Sequence, residues 1–160
     1  MSQSITKELK IKNETENLAL IREAVREVVT LGRFPEGELN RLTLAVDESV
    51  TNVMEHAYEY DLEGREEIVV AIEANDSMFV ACIRDRGQAF SPLDVPAPNL
   101  ADHVKEGRKH GLGIFLIRQI MDEVSYDKIA DGSNELRMVK WAKSPPKGAP
   151  AVAAKEGKTP

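Results

Sequence analysis

The chain reads as an α+β protein: a two-layer α/β sandwich with helices on one face of a mixed, mostly antiparallel sheet. Three observations predict this. The hydrophobic periodicity gives the element order β-α-α-β-β-loop-α-β-β. Neighbouring strands are joined by short turns, which makes them antiparallel hairpins. The helices come in groups rather than one per strand, which argues against a doubly wound parallel sheet.

Each element has its own signature. Ser4–Asn13 sets Ile5, Lys7, Leu9 and Ile11 against Thr6, Glu8, Lys10 and Lys12, a half-buried or edge strand interrupted by Lys7. Asn13 with Glu16 reads as an N-cap and acidic first turn. Leu18, Ile21, Val25 and Val28 then mark a helix, which Gly32 and Pro35 close. A second helix runs from about Pro35 through Tyr58, with Leu39, Leu42, Val46, Val50 and Val53 inward. Within it, Glu48, Asn52 and His56 recur every four residues and share a stripe opposite the valines. Such a stripe is ordinarily a solvated face, so by itself it specifies no chemistry.

Glu67–Asn75 contains a strand, Asn75-Asp76 a tight connection, and Met78–Arg84 a partner apolar on both faces, a pair expected at the sheet centre. Asp85–His110 holds Gly87, Pro92, Pro96, Pro98 and Gly107 and has no sustained period. A loop of that length inside a compact domain usually covers a site. Gly111-Leu112-Gly113 opens a helix with Ile114, Ile117 and Met121 on one side. Val124–Ile129 is a short strand, and Asp131-Gly132-Ser133 turns into a last strand, Glu135–Ala142. Residues 144–160 shift to Pro, Ala, Lys and Gly and read as a disordered tail behind one domain of residues 1–143.

Composition narrows the function. At 160 residues the chain can bury a real core, and its net charge of −6 invites neither nucleic acid nor an anionic membrane. An anionic ligand must therefore be met by locally placed donors. The single cysteine, Cys82, lies in an apolar run, excludes an intramolecular disulfide and fits a reducing compartment. No apolar run reaches the ~18 residues of a membrane span, and the N-terminus lacks a signal-peptide core. A cytoplasmic protein is expected.

Three polar elements remain, each at the end of a regular element: Glu48/Asn52, Asp85-Arg86-Gly87 and Gly111-Leu112-Gly113. No G-x-x-x-x-G-K-[ST] run is present, and Gly111-x-Gly113 lacks both a third glycine and a directly preceding strand, so neither a P-loop nor a Rossmann fingerprint fits. In this order and on this fold, the three elements resemble the GHKL ATPase superfamily with its Bergerat nucleotide site. Within it, Ile5–Trp141 is similar to the anti-sigma factor serine/threonine kinases: ESVTNVMEHAY as the N-box, DRG as the first glycine box, HGLGIFLIRQIMDEV as the second.

The resemblance implies ATP and Mg²⁺ as cofactors and a role for each element. Glu48 is the implied general base for an attacking hydroxyl. Asn52 is the implied Mg²⁺ ligand, its carbonyl oxygen being a hard donor. Asp85 would accept the adenine amino proton, and Gly87 would let the backbone approach the base. Gly111, Leu112 and Gly113 would present backbone N–H groups to phosphate at a helix N-terminus. Lys105, Arg108 and Lys109, just before that helix, could neutralise the triphosphate. His56 is a poor zinc ligand in this set and suits packing or positioning.

Two departures bear on the base side. Ala89 stands where the first glycine box often has a second glycine. The last strand lacks the threonine that helps hold the adenine aspartate in relatives, so Ser133, Asn134 or a residue elsewhere would substitute. The implied function is an anti-sigma kinase with two protein partners, a sigma factor that it sequesters and a STAS-domain anti-anti-sigma factor whose serine it phosphorylates. A homodimer through the N-terminal strand is also implied. The alternative is a module that binds ATP and sequesters a partner without transferring phosphate.

Overall fold

A computed structural model describes residues 3–57, 67–87 and 112–143, with only the backbone for His56, Ala57 and Leu112. Five strands form one sheet: β1 (Ile5–Lys12), β2 (Glu67–Ala74), β3 (Met78–Asp85), β4 (Glu123–Lys128) and β5 (Asn134–Trp141). Their spatial order is β1-β2-β3-β5-β4. Helices α1 (Leu18–Gly32), α2 (Leu39–Asn52) and α3 (Leu112–Ile120) complete the described elements. The α+β architecture is as expected, with β3 central. All four described strand pairings are antiparallel, in line with the mostly antiparallel sheet expected.

The sheet has a dry face and a wet one because each strand alternates. Ile68, Val70, Ile72 and Ala74 of β2 and Phe79, Ala81 and Ile83 of β3 are buried, joined in one core to Ile21, Val25 and Val28 of α1 and Leu42, Val46 and Val50 of α2. The opposite parity carries Glu8, Lys10, Arg84, Glu135 and Arg137. Strand alternation thus fixes a side for each site residue: Asp85 shares the parity of Ile83 and points into the helix-covered layer, while Arg84 points away. Lys7, the interruption in β1, lies on the core side and is half-buried in an ion pair with Glu27 of α1.

Helix ends depart from the expected positions for local reasons. A 3₁₀ turn, Thr15–Asn17, precedes α1, and Asn17 Nδ2 donates to the Lys12 carbonyl at 3.0 Å. Asn13 is therefore no cap. It is 7% exposed, and its amide has no hydrogen-bond partner among the described residues. At the other end, the left-handed residue is Arg33 (φ 60) and not Gly32. Arg33 N–H donates to the Thr30 carbonyl at 3.3 Å and Phe34 N–H to Val29 at 3.1 Å, the paired closure of a Schellman motif. Gly32 serves another purpose. A Cβ there would stand 2.5 Å from the Ala74 carbonyl oxygen, so glycine lets α1 lie directly on β2.

The second helix begins with a 3₁₀ turn, Glu36–Glu38, and its α segment stops at Asn52. A π turn, Val53–Ala57, follows; Tyr58 lies outside the described residues. Asn75 Oδ1 accepts from Ser77 N–H and Met78 N–H, each at 2.9 Å, and closes the β2–β3 hairpin as an Asx turn. Helix α3 ends at Ile120, so Met121 follows the helix but is still buried. β5 inserts between β3 and β4, so the chain leaves the sheet centre, crosses through α3 and returns one strand further out. That crossover brings the start of α3 against α2.

Candidate functional site

The site is built at the end of β3. Asp85 is 4% exposed and Asn134, at the start of β5, is 3% exposed. The register pairs them directly. Asn134 Nδ2 donates to Asp85 Oδ1 at 3.1 Å and to the Gly87 carbonyl at 3.1 Å. Gly87 N–H also donates to Asp85 Oδ1, at 3.0 Å. Both donors thus converge on one carboxylate oxygen, and these bonds leave Oδ2 for a ligand. Burial pushes the Asp85 carboxyl above the ordinary value of 3.8, with the Asn134 and Gly87 donors pulling the other way. Of the two neighbours weighed as substitutes for the missing threonine, Asn134 makes this contact. Ser133 instead donates its hydroxyl and, at 2.8 Å, its backbone N–H to Asp131.

Asp131 in turn receives Arg86. Its carbonyl accepts from Arg86 Nη1 at 3.2 Å and its carboxylate lies 3.4 Å from Nη2. The Ser133 hydroxyl, then its N–H, hold the Asp131 carboxyl below the usual range, with Arg86 assisting. This exposed pair ties the segment after β3 to the β4–β5 turn, a link that no motif in the sequence announces. A polar cavity of about 490 Å³ opens on the wet face here, lined by Glu8, Lys10, Glu67, Arg84 and Arg86 among others. Asp85, Asp131 and Ser133 also border it.

The second half of the site lies on α2. Glu48 and Asn52 are half-buried, one turn apart, within the α segment as expected. Glu48 reaches the start of α3. A Cβ built on Gly113 would collide with Glu48 Oε2 and stand 3.2 Å from its Cδ. The base expected on one helix and the glycine expected on another are thus in contact. Asn52 Nδ2 is buried without a hydrogen-bond partner among the described residues. A turn of the amide would offer Oδ1 at that position, so the group fits a metal that needs one protein oxygen and arrives with phosphates. No group of three His, Cys, Asp or Glu gathers as a metal cluster among the described residues. A π turn, wound more loosely than an α-helix, begins at Val53 just after Asn52; the His56 side chain, third in the expected stripe, lies outside the described residues.

Lys105, Arg108, Lys109 and Gly111 lie outside the described residues, as do the loop that contains them and the tail of residues 144–160. Leu112 is the first residue of α3. Gly87 closes the segment after β3, where its N–H and carbonyl both serve the Asp85–Asn134 pair.

Residues 11–140 match the family model of the histidine kinase-like ATPase domain. The chain is 27% identical over 126 residues to a serine-protein kinase RsbW of Bacillus thuringiensis (strain Al Hakam), an alignment covering 73% of this chain and 74% of the relative. An RsbW of Bacillus anthracis (strain A0248) matches to the same extent. Among solved structures, the SiaB–SiaC complex from Pseudomonas aeruginosa superposes with TM-score 0.62 at 17% identity, over 83% of this chain and 88% of that one. The RsbU and RsbW domains of a Mycobacterium tuberculosis protein give TM-score 0.57 at 18% identity, over 85% of this chain but 32% of that one. At these identities the structural likeness is one of fold.

Proposed function

The chain belongs to the histidine kinase-like ATPase domain family, and from that premise we propose that it is an ATP- and Mg²⁺-dependent protein serine/threonine kinase of the anti-sigma type. The observation that carries this reading is the contact of Glu48 with Gly113 at the start of α3. It places a carboxylate beside backbone N–H groups that have no partner within the helix and that favour phosphate. ATP supplies the transferable γ-phosphoryl group, with Mg²⁺ neutralising its charge. Asp85, held by Asn134 and Gly87, would accept the adenine amino proton on Oδ2. Asn52 would give Mg²⁺ an oxygen, and Glu48 would take the proton of an attacking serine hydroxyl. Gly111, Leu112 and Gly113 would offer N–H groups to the phosphates, with Lys105, Arg108 and Lys109 as the cations for them.

The proposed partners are a STAS-domain anti-anti-sigma factor as phosphoacceptor and a sigma factor as the sequestered protein. Similarity to proteins named RsbW serine-protein kinases supports the first. So does the fold shared with SiaB, a protein solved in complex with SiaC. β1 is an edge strand of the described sheet, which suits a homodimer through that strand. Action in the cytoplasm fits this reading; no described helix is long and apolar enough to cross a membrane.

Calorimetry with ATP and Mg²⁺ tests the proposal on wild type, Asn52→Ala and Asp85→Asn, paired with phosphate transfer to a STAS-domain serine. Micromolar binding that collapses in both variants, with transfer lost in Glu48→Gln, is expected. Binding without transfer moves the reading to a sequestering module that uses ATP to shape its surface. A folded wild type that binds no ATP overturns both.

A further inference from the structure

Gly113 invites the question of what its missing side chain does. Its backbone does not demand glycine, since among the described glycines only Gly132 has a positive φ. Its N–H, the group a phosphate would use, belongs to any residue but proline. Alanine would favour the helix over glycine. The remaining difference is the Cβ, and its three nearest neighbours would all be atoms of one residue: Glu48 Oε2, Glu48 Cδ at 3.2 Å and Glu48 Cβ at 3.4 Å. Gly37, by contrast, has nothing within 4 Å of such a Cβ.

We propose that Gly113 is the positioning residue for Glu48: its bare Cα is the surface against which the carboxylate lies, and this sets the base across the first turn of α3. The kinetic part of this inference rests on the kinase reading above; the geometric part does not. Burial gives the contact its force. Gly113 is enclosed, Glu48 is half-buried, and Ser49, the next residue of α2, is locked by its hydroxyl to the Ala45 carbonyl at 2.7 Å with Met138 Sδ 3.1 Å away. A methyl group at position 113 is accommodated by moving the Glu48 side chain, whose flexible far end is the first thing it would meet. A carboxylate displaced by an ångström or more loses its line to the hydroxyl proton while nucleotide contacts stay in place.

A four-member cycle tests the inference: wild type, Gly113→Ala, Glu48→Ala and the double variant. Thermal unfolding without nucleotide is read first. Gly113→Ala lowers Tm slightly in the wild-type background, since its Cβ must push aside the far end of a flexible side chain. In the Glu48→Ala background, where the obstacle is gone, it leaves Tm unchanged or raises it by the better helix propensity of alanine. The second readout separates binding from chemistry. Gly113→Ala keeps its ATP Kd within about threefold of wild type, while its single-turnover transfer to a STAS-domain serine falls about 10²-fold, the lower end for loss of a general base. Equal Tm shifts in the two backgrounds, or transfer at the wild-type rate, overturn the inference. A Tm difference between backgrounds, in a wild type that transfers no phosphate, overturns the kinase reading and leaves the hold of Gly113 on Glu48 standing.

Discussion

Truncating Asn134 to alanine is the sharpest test of how the base side of the site is built. The substitution removes two hydrogen bonds made by one buried nitrogen, to Asp85 Oδ1 at 3.1 Å and to the Gly87 carbonyl at 3.1 Å. A bond to a charged group is worth about 1.5–3 kcal/mol and a neutral one about 1 kcal/mol. Asp85 keeps the Gly87 N–H at 3.0 Å, and water can enter the space, so the expected loss is about 2–4 kcal/mol. For a domain of this size that is a fall in Tm of roughly 6–13 °C. Asn134→Thr keeps one donor and should lose about half as much. Losing the Asn134 donor also removes the larger of the two pulls holding the Asp85 carboxyl down, so ATP affinity should weaken more steeply towards acid than in wild type. Circular dichroism melts and calorimetry at two pH values measure both effects. An Asn134→Ala protein melting within 2 °C of wild type, with Asn134→Thr not between them, would refute the reasoning.

Three further outcomes follow from the fold and the site. Gly32→Ala drives a Cβ to 2.5 Å from a backbone oxygen and 2.8 Å from its carbon; neither can give, so a net loss of about 1–3 kcal/mol is expected despite the gain in helix propensity, read by urea denaturation. Arg33→Gly relieves a left-handed residue at φ 60 and should stabilise by about 0.5–1 kcal/mol, a rise of 2–4 °C, after glycine's own entropy is counted; a fall in Tm contradicts it. Asp85 carries the pH prediction. Its folded value lies above the ordinary 3.8, so the folded state binds the proton more tightly, and this group's cost to stability appears as pH rises from 3.8 through the raised value. Asp85→Asn should therefore melt at or above wild type at neutral pH, lose that advantage at low pH, and bind no ATP; paired melts across pH decide it.

What the sequence disclosed is periodic, and what it hid is local or long-range. Alternation in the first strand placed Leu9 and Ile11 inside, whereas Met78–Arg84, apolar on both faces, left open which side Asp85 looks into. The 3-4 spacing of Ile21, Val25 and Val28 and of Leu42, Val46 and Val50 located both long helices. Their ends were harder, because an end is settled by one residue's backbone. Gly32 has the composition of a helix terminator, yet close approach to Ala74 uses it, and arginine takes the left-handed position. Asn13 has the composition of a cap, yet a 3₁₀ turn comes first. The π turn after Asn52 leaves no mark in an apolar pattern that stays inward through Val53. Asn134 was legible as one of several alternatives; only the β3–β5 register singles it out. The meeting of Glu48 with Gly113 depends on the crossover through α3, which periodicity does not determine.

The insertion of β5 between β3 and β4 has a consequence for synthesis. Asp85 and its clamp Asn134 are 49 residues apart, and the central strand β3 lacks one neighbour until the β4–β5 turn has been made. A nascent chain that has not yet reached Asn134 presents the side of β3 that β5 will occupy, Phe79 to Asp85, as an open edge rich in valine, alanine and isoleucine, the kind of edge that invites pairing with other chains. It also lacks Asn134, which in the complete chain donates to the buried Asp85 carboxylate. Ribosomal pausing or truncation within the β4–β5 hairpin should therefore yield aggregates, whereas a complete chain covers that edge with its own last strand.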